Sequence, residues 1–81
     1  MTLEILTPDQ TVYKGEVTSV TVPGALGSFE VLNNHAPIIS ILEDGKVIIR
    51  EGKTEQIYQI KGGVVEVIDN KVIVLAEGVV T

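Results

Sequence analysis

His35 is the only histidine in the chain, and so the only side chain whose unperturbed titration falls between pH 5 and 8. General base catalysis would need a nucleophile or a second acid/base group within hydrogen-bond reach of it. The sequence contains no cysteine, and Ser19, Ser28 and Ser40 stand singly with no catalytic signature around them. A hydrolase or isomerase built on His35 therefore has no visible second element. A histidine in the Asn33-Asn34-His35-Ala36-Pro37 turn reads first as a hydrogen-bonded structural residue.

The remaining chemistry-bearing groups are as sparse. Glu43-Asp44 lies beside Gly45, and Glu51, Glu55, Glu66 and Asp69 are scattered. Carboxylates so placed read as solvated turn and strand-face charge. Gly24-Ala25-Leu26-Gly27 lacks the Lys-Ser/Thr of a phosphate-cradling loop, and Gly62-Gly63 precedes a strand pattern, not a helix. Lys71 sits just past Asp69-Asn70, where a biotinyl or lipoyl carrier domain would carry its modified lysine near a hairpin tip. Its flanks depart from both the Asp-Lys and the Met-Lys-Met patterns, so an ordinary hairpin lysine is the better reading. No residue pattern calls for a metal or cofactor.

The elements that must position these groups are strands. Of the 81 residues, 44% are apolar and only three are aromatic (two Tyr, one Phe). Val, Ile and Leu at that density suit an aliphatic β-core and argue against disorder. A domain this small buries only about 60% of its unfolded surface and is marginally stable, with no disulfide to assist. The net charge of −5 repels phosphate backbones and anionic headgroups, which argues against nucleic acid as a partner. The longest apolar run, residues 72–76, falls far short of the ~20 residues of a bilayer-crossing helix. The start Met1-Thr2-Leu3-Glu4 has neither a secretory nor a transit pattern, which predicts a cytosolic or organelle-encoded chain.

Alternation and turn residues divide the chain into short strands at residues 2–7, 10–13, 16–22, 28–32, 38–42, 46–51, 54–60, 64–68 and 71–76, with 77–81 as a tail. Lys14-Gly15 is expected to turn the chain, Asp44-Gly45 to close a hairpin, and Asp69-Asn70 to form a type I′ turn. The most individual stretch is residues 22–37. There Pro23, Gly24, Gly27 and Pro37 shape an ordered loop that Leu26, Phe29, Val31 and Ile38 should pin to the core. Eight to ten short strands with tight turns predict a single all-β domain over residues 1–81, an antiparallel flattened sandwich or barrel.

Taken in order, Leu3-Glu4-Ile5-Leu6-Thr7-Pro8, Tyr13-Lys14-Gly15-Glu16-Val17, the Val22-Pro23-Gly24 to Gly27 loop, His35-Ala36-Pro37, Gly62-Gly63-Val64-Val65-Glu66-Val67 and Val72-Ile73-Val74-Leu75-Ala76-Glu77 span essentially the whole chain. In that order and spacing they closely resemble the N-terminal β-domain of the epsilon subunit of F-type rotary ATP synthases, called delta in mitochondria. The resemblance implies a ten-stranded sandwich and a non-catalytic rotor role, with no cofactor. Its implied partners are the gamma subunit and the membrane c-ring of a proton- or sodium-driven enzyme. It also implies one copy per complex, a monomer in isolation, and a peripheral position at the cytoplasmic face of a bacterial inner membrane. Carried over by position, Ser28, Phe29 and Glu30 would meet the c-ring, and Thr7, His35 and Ser40 would face gamma.

Two departures from the family pattern carry expectations of their own. Many members have an acid at the position of Ser28 and glycine at that of Glu30. A displacement by two residues keeps a side chain on the same strand face, so the acidic contact is expected to survive. The family also continues into a C-terminal helical hairpin that restrains ATP hydrolysis, whereas this chain stops at Thr81. If the natural chain ends there, inhibition by that hairpin is not expected of it; ATP binding is not expected either. The rival readings are a carrier domain using Lys71, an enzyme using His35, and a β-adaptor in an unrelated assembly.

Overall fold

β-Branched side chains pack well on a pleated surface, and their backbone N–H and C=O groups must find partners when buried. Both demands are met by strand pairing. The computed structural model describes residues 1–80. Its eight strands are β1 (Thr2–Leu6), β2 (Thr11–Glu16), β3 (Ser19–Gly24), β4 (Gly27–Leu32), β5 (Ile38–Leu42), β6 (Gly45–Glu51), β7 (Thr54–Ile68) and β8 (Lys71–Val80). Hydrogen-bonded neighbours run β2-β1-β8-β7-β5-β3-β4, and β6 bridges β3 and β7. Every pairing is antiparallel except β1 with β8.

The long strands β7 and β8 make this a sandwich. The second half of β7 pairs with β5 and with the start of β8. The first half pairs with β6 and with the end of β8. One layer is thus β2-β1-β8-β7-β5, and the other continues from the first half of β7 through β6 and β3 to β4. The bend lies at Gly62 (φ 46°) and Gly63 (φ 130°). A Cβ on Gly63 would overlap the Leu75 carbonyl oxygen, so only glycine lets the two strands stay in contact around the corner. Asp44 Oδ1 accepts a 2.9 Å hydrogen bond from the Gly62 amide and fixes the bend. Counted as separate halves, β7 and β8 raise the eight strands to the ten that the resemblance implies.

Inward positions from both layers fill the space between. Leu3, Ile5, Val20, Val22, Val31, Val47, Ile60, Val65 and Val74 are completely buried. Each such aliphatic side chain contributes roughly 1.5–3 kcal/mol of transfer free energy, which is the main force opposing chain entropy here. The Asp69-Asn70 turn has both residues at positive φ, 49° and 60°, as a type I′ hairpin requires.

Several local expectations are corrected. β2 runs straight through Lys14-Gly15, because Gly15 pairs with Leu3 and Glu16 with Thr2. The chain instead crosses to the second layer at Val17-Thr18. There the Val17 amide donates to the Met1 carbonyl (2.9 Å), and the Thr18 amide and Oγ1 both donate to the Arg50 carbonyl (2.8 Å each). Asp44-Gly45 closes no hairpin, since β5 and β6 do not pair; it carries the chain between layers. The Glu43 amide donates to the Pro23 carbonyl (2.9 Å), and Gly45 lies so close to Pro23 that a Cβ would meet its ring at 2.7 Å. Leu26, at the tip of the β3–β4 hairpin, is fully exposed and pins nothing. Residues 78–80 are no loose tail, because they pair with Gln59, Ile60 and Lys61; Thr81 lies outside the described residues.

Candidate functional site

The residues expected to meet partners fall on two layers. Ser28, Phe29 and Glu30 occupy β4, an edge strand that among the described residues pairs with β3 alone. The strand's alternation sends Ser28 and Glu30 to solvent and turns Phe29 inward against the core. The Phe29 ring is fixed by Gly24, where a Cβ would approach it to 2.9 Å. Ser28 and Glu30 therefore share a face, as the shift of two residues predicts. Glu30 is not free. Its Oε2 lies 3.5 Å from Arg50 Nη1, and Arg50 Nε lies 3.1 Å from Glu55 Oε1. The same Nη1 donates to Thr21 Oγ1 at 3.5 Å. One guanidinium thus ties β4, β3 and β7 across the outside of the second layer, leaving the trio with net charge near −1.

Thr7, His35 and Ser40 all belong to the other layer or its margins, but they do not form one cluster. Thr7 follows β1 and closes a turn, its amide donating to the Gln10 carbonyl at 2.9 Å. His35 stands at the opposite end of that layer, beside the start of β1. Its amide donates to the Leu32 carbonyl (3.2 Å), and its ring Nδ1 is 2.7 Å from the Ala36 carbonyl. A carbonyl only accepts, so Nδ1 carries the proton. Ser40, in β5, pairs with the buried Val65 and is itself half-buried, so it points toward the sandwich interior.

Between Thr7 and His35 lies a surface that single-residue reasoning missed. On the outer face of the first layer, Leu6, Leu75, Val64 and Ile41 are successive cross-strand partners over β1, β8, β7 and β5. Ile73 and Ile39 flank Glu66 in the next row. Ile39 is 72% exposed and Ile41 68%. Contiguous apolar surface of this kind on a small acidic domain is a candidate interaction face. Its signal in the sequence is that 38–42, 64–68 and 71–76 carry apolar residues at both parities, so these strands need covering on two sides. Shallow grooves flank the patch, one by Pro37, Ile39 and Ile68, another by Thr7, Pro8 and Leu75.

The arrangement suits binding rather than bond-making. Among the described residues no group of three or more His, Asp or Glu side chains could hold a metal ion. His35 has no nucleophile or carboxylate among its hydrogen-bond partners. Lys71 is the first residue of β8, paired with Thr2 and Ile68, one position beyond the turn itself. Among the described residues no helix is long and apolar enough to cross a membrane.

Residues 1–81 match the family model for the β-sandwich domain of the ATP synthase delta/epsilon chain. An ATP synthase epsilon chain of Sulfurimonas denitrificans is 51% identical over 79 residues, covering 96% of this chain and 61% of that relative. One from Chlorobium limicola is 45% identical over 78 residues, covering 95% of this chain and 89% of its own length. In three dimensions the domain superimposes with a TM-score of 0.89 on a chain of the Euglena gracilis mitochondrial ATP synthase in an OSCP/F1/c-ring assembly, at 26% identity, covering 96% of this chain and 51% of that one. A chain of the Tetrahymena thermophila mitochondrial ATP synthase central stalk/c-ring gives 0.84 at 17% identity, which bears on the fold alone. A match running over every residue, joined to relatives that share up to half of them, shows that this chain belongs to the ATP synthase delta/epsilon chain β-sandwich family.

Proposed function

We propose that the chain serves as a non-catalytic rotor component of a proton- or sodium-driven rotary ATP synthase. It joins gamma to the c-ring, peripheral to the membrane at its cytoplasmic face, and supports the coupling of ion flow to ATP synthesis. The observation that carries this reading is the match of the entire domain to ATP synthase epsilon chains.

The geometry supports a two-sided connector. The outer face of the first layer offers Leu6, Leu75, Val64 and Ile41, with Thr7 and His35 at its two ends, and would seat gamma by apolar burial. The edge strand β4 on the other layer offers Ser28 and Glu30, which would meet polar c-ring loops. Phe29 braces that strand from within. Rigid turns and an aliphatic core make a stiff body, which torque transmission needs. Docking to gamma would stabilise the small domain by mass action.

The test is affinity capture of the tagged chain from detergent-solubilised membranes of its native cells, with mass spectrometry of the intact complex. Recovery of gamma, the catalytic subunits and the c-ring with one copy of this chain is the expected result. Recovery alone, or with a carboxylase or 2-oxo-acid dehydrogenase and a modified Lys71, would overturn it.

A further inference from the structure

The turn that presents His35 is held from outside itself. Asn34, at φ 62°, donates its amide to Oδ1 of Asn70 at 2.8 Å, across 36 residues of sequence. Asn70 is the second residue of the β7–β8 turn, and its own carbonyl accepts from the Thr2 amide at 3.2 Å. On the other side, Oδ1 of Asn33 accepts from the Met1 ammonium at 2.8 Å.

Glycine would satisfy the φ of 60° at Asn70 at less steric cost. The hairpin therefore does not need this side chain. What the side chain does is bond the backbone of the residue preceding His35. The consequence reaches the rim of the apolar face. The His35 ring is already fixed along its own backbone through Nδ1 and Ala36, so its direction follows that of the turn. Pro37, two residues on, lines the groove with Ile39 and Ile68. After Asn34 the chain enters strand pairing again only at Ile38, where β5 begins.

We infer that Asn70 is a positioning residue for partner binding: its Oδ1 holds the Asn34–Pro37 turn so that His35 and Pro37 stand at the edge of the apolar face in the orientation gamma receives. This rests on the proposed seating of gamma at that face. It touches no partner itself and acts only through the turn.

Three variants test it. Asn70→Gly keeps the left-handed turn and removes the acceptor, Asn70→Asp keeps an acceptor oxygen, and His35→Ala removes the presented ring. Each is measured by amide hydrogen exchange and by rebinding to the ATP synthase complex stripped of this subunit. For Asn70→Gly the Asn34 amide should exchange faster while the Val65 and Val74 amides keep their protection. Its rebinding affinity should fall about three- to tenfold, the loss of one hydrogen bond's ordering, and Asn70→Asp should restore both. Unchanged exchange at Asn34, or faster exchange with unchanged affinity, overturns the inference while leaving the docking face intact. If His35→Ala binds as the wild type does, the seating of gamma beside this turn fails, and the inference with it.

Discussion

Tyr13 and Tyr58 meet edge to face, with ring centroids 6.1 Å apart and planes at 61°. They come from β2 and β7, strands that share no backbone pairing. Tyr13 sits opposite Ile5 and Tyr58 opposite Val47, so each ring turns toward the interior from a different layer. The pair closes the side of the sandwich where the edge strand β2 would otherwise stand clear of the second layer.

Such a contact between layers should be measurable as coupling. In a double-mutant cycle with Tyr13→Ala and Tyr58→Ala, urea unfolding should give an interaction free energy of about 0.5–1.5 kcal/mol. Additive losses would show that the two rings merely cover apolar surface independently.

Burial raises the Tyr13 hydroxyl above its ordinary titration range, and the nearby Glu51 carboxylate and Tyr58 add to the shift. The raised value means that the folded state holds the proton more tightly than the unfolded chain does. The resulting stability is fully present below about pH 10, the unfolded value, and is lost as pH rises through the folded one. Unfolding midpoints should therefore fall above about pH 10. Tyr13→Phe should flatten that alkaline limb; an unchanged limb would assign it to other groups.

Gly63, at the bend, and Gly78, which pairs with Lys61 on the strand beside it, make opposite predictions. Gly63→Ala introduces a Cβ that overlaps the Leu75 carbonyl at φ 130°. It should cost more than about 3 kcal/mol or abolish folding. A Cβ at Gly78 meets nothing within 4 Å, so Gly78→Ala should change stability by less than about 1 kcal/mol. Circular dichroism with urea titration of both variants checks the contrast.

Glu30→Lys removes one half of a pair whose side chains are 46% and 40% exposed. The loss of stability should stay below about 1 kcal/mol and shrink in high salt, because Arg50 keeps Glu55. Ser28→Lys should be still milder. Both should nonetheless weaken the coupling of ion flow to ATP synthesis in membrane vesicles. Full coupling in both variants would remove β4 from the proposed c-ring contact.

Alternation, turn residues and composition determined a large part of this protein. Leu3 with Ile5, Val47 with Ile49 and Val72 with Val74 were legible as inward faces because the side-chain period of a strand is two and water is excluded from one side. Asp69-Asn70 was legible as a type I′ turn because few residues tolerate positive φ in succession. The order of motifs from Leu3 to Glu77 also pointed to the family.

Pairing between layers was decided by tertiary structure alone. Asp44-Gly45 carries the usual signal of a hairpin, yet it links strands in different layers, because Pro23 and the Gly62 amide claim its neighbours from distant parts of the chain. Lys14-Gly15 has turn-forming residues but stays extended, since β1 supplies hydrogen-bond partners through Glu16. The apolar face formed by Leu6, Leu75, Val64 and Ile41 draws one residue from each of four strands, and no local window contains it. Nor does a window contain the hold of Asn70 on Asn34. Local sequence sets which residues can be extended, buried or turned, while contacts across tens of residues exist only once the backbone's hydrogen bonds have been allocated.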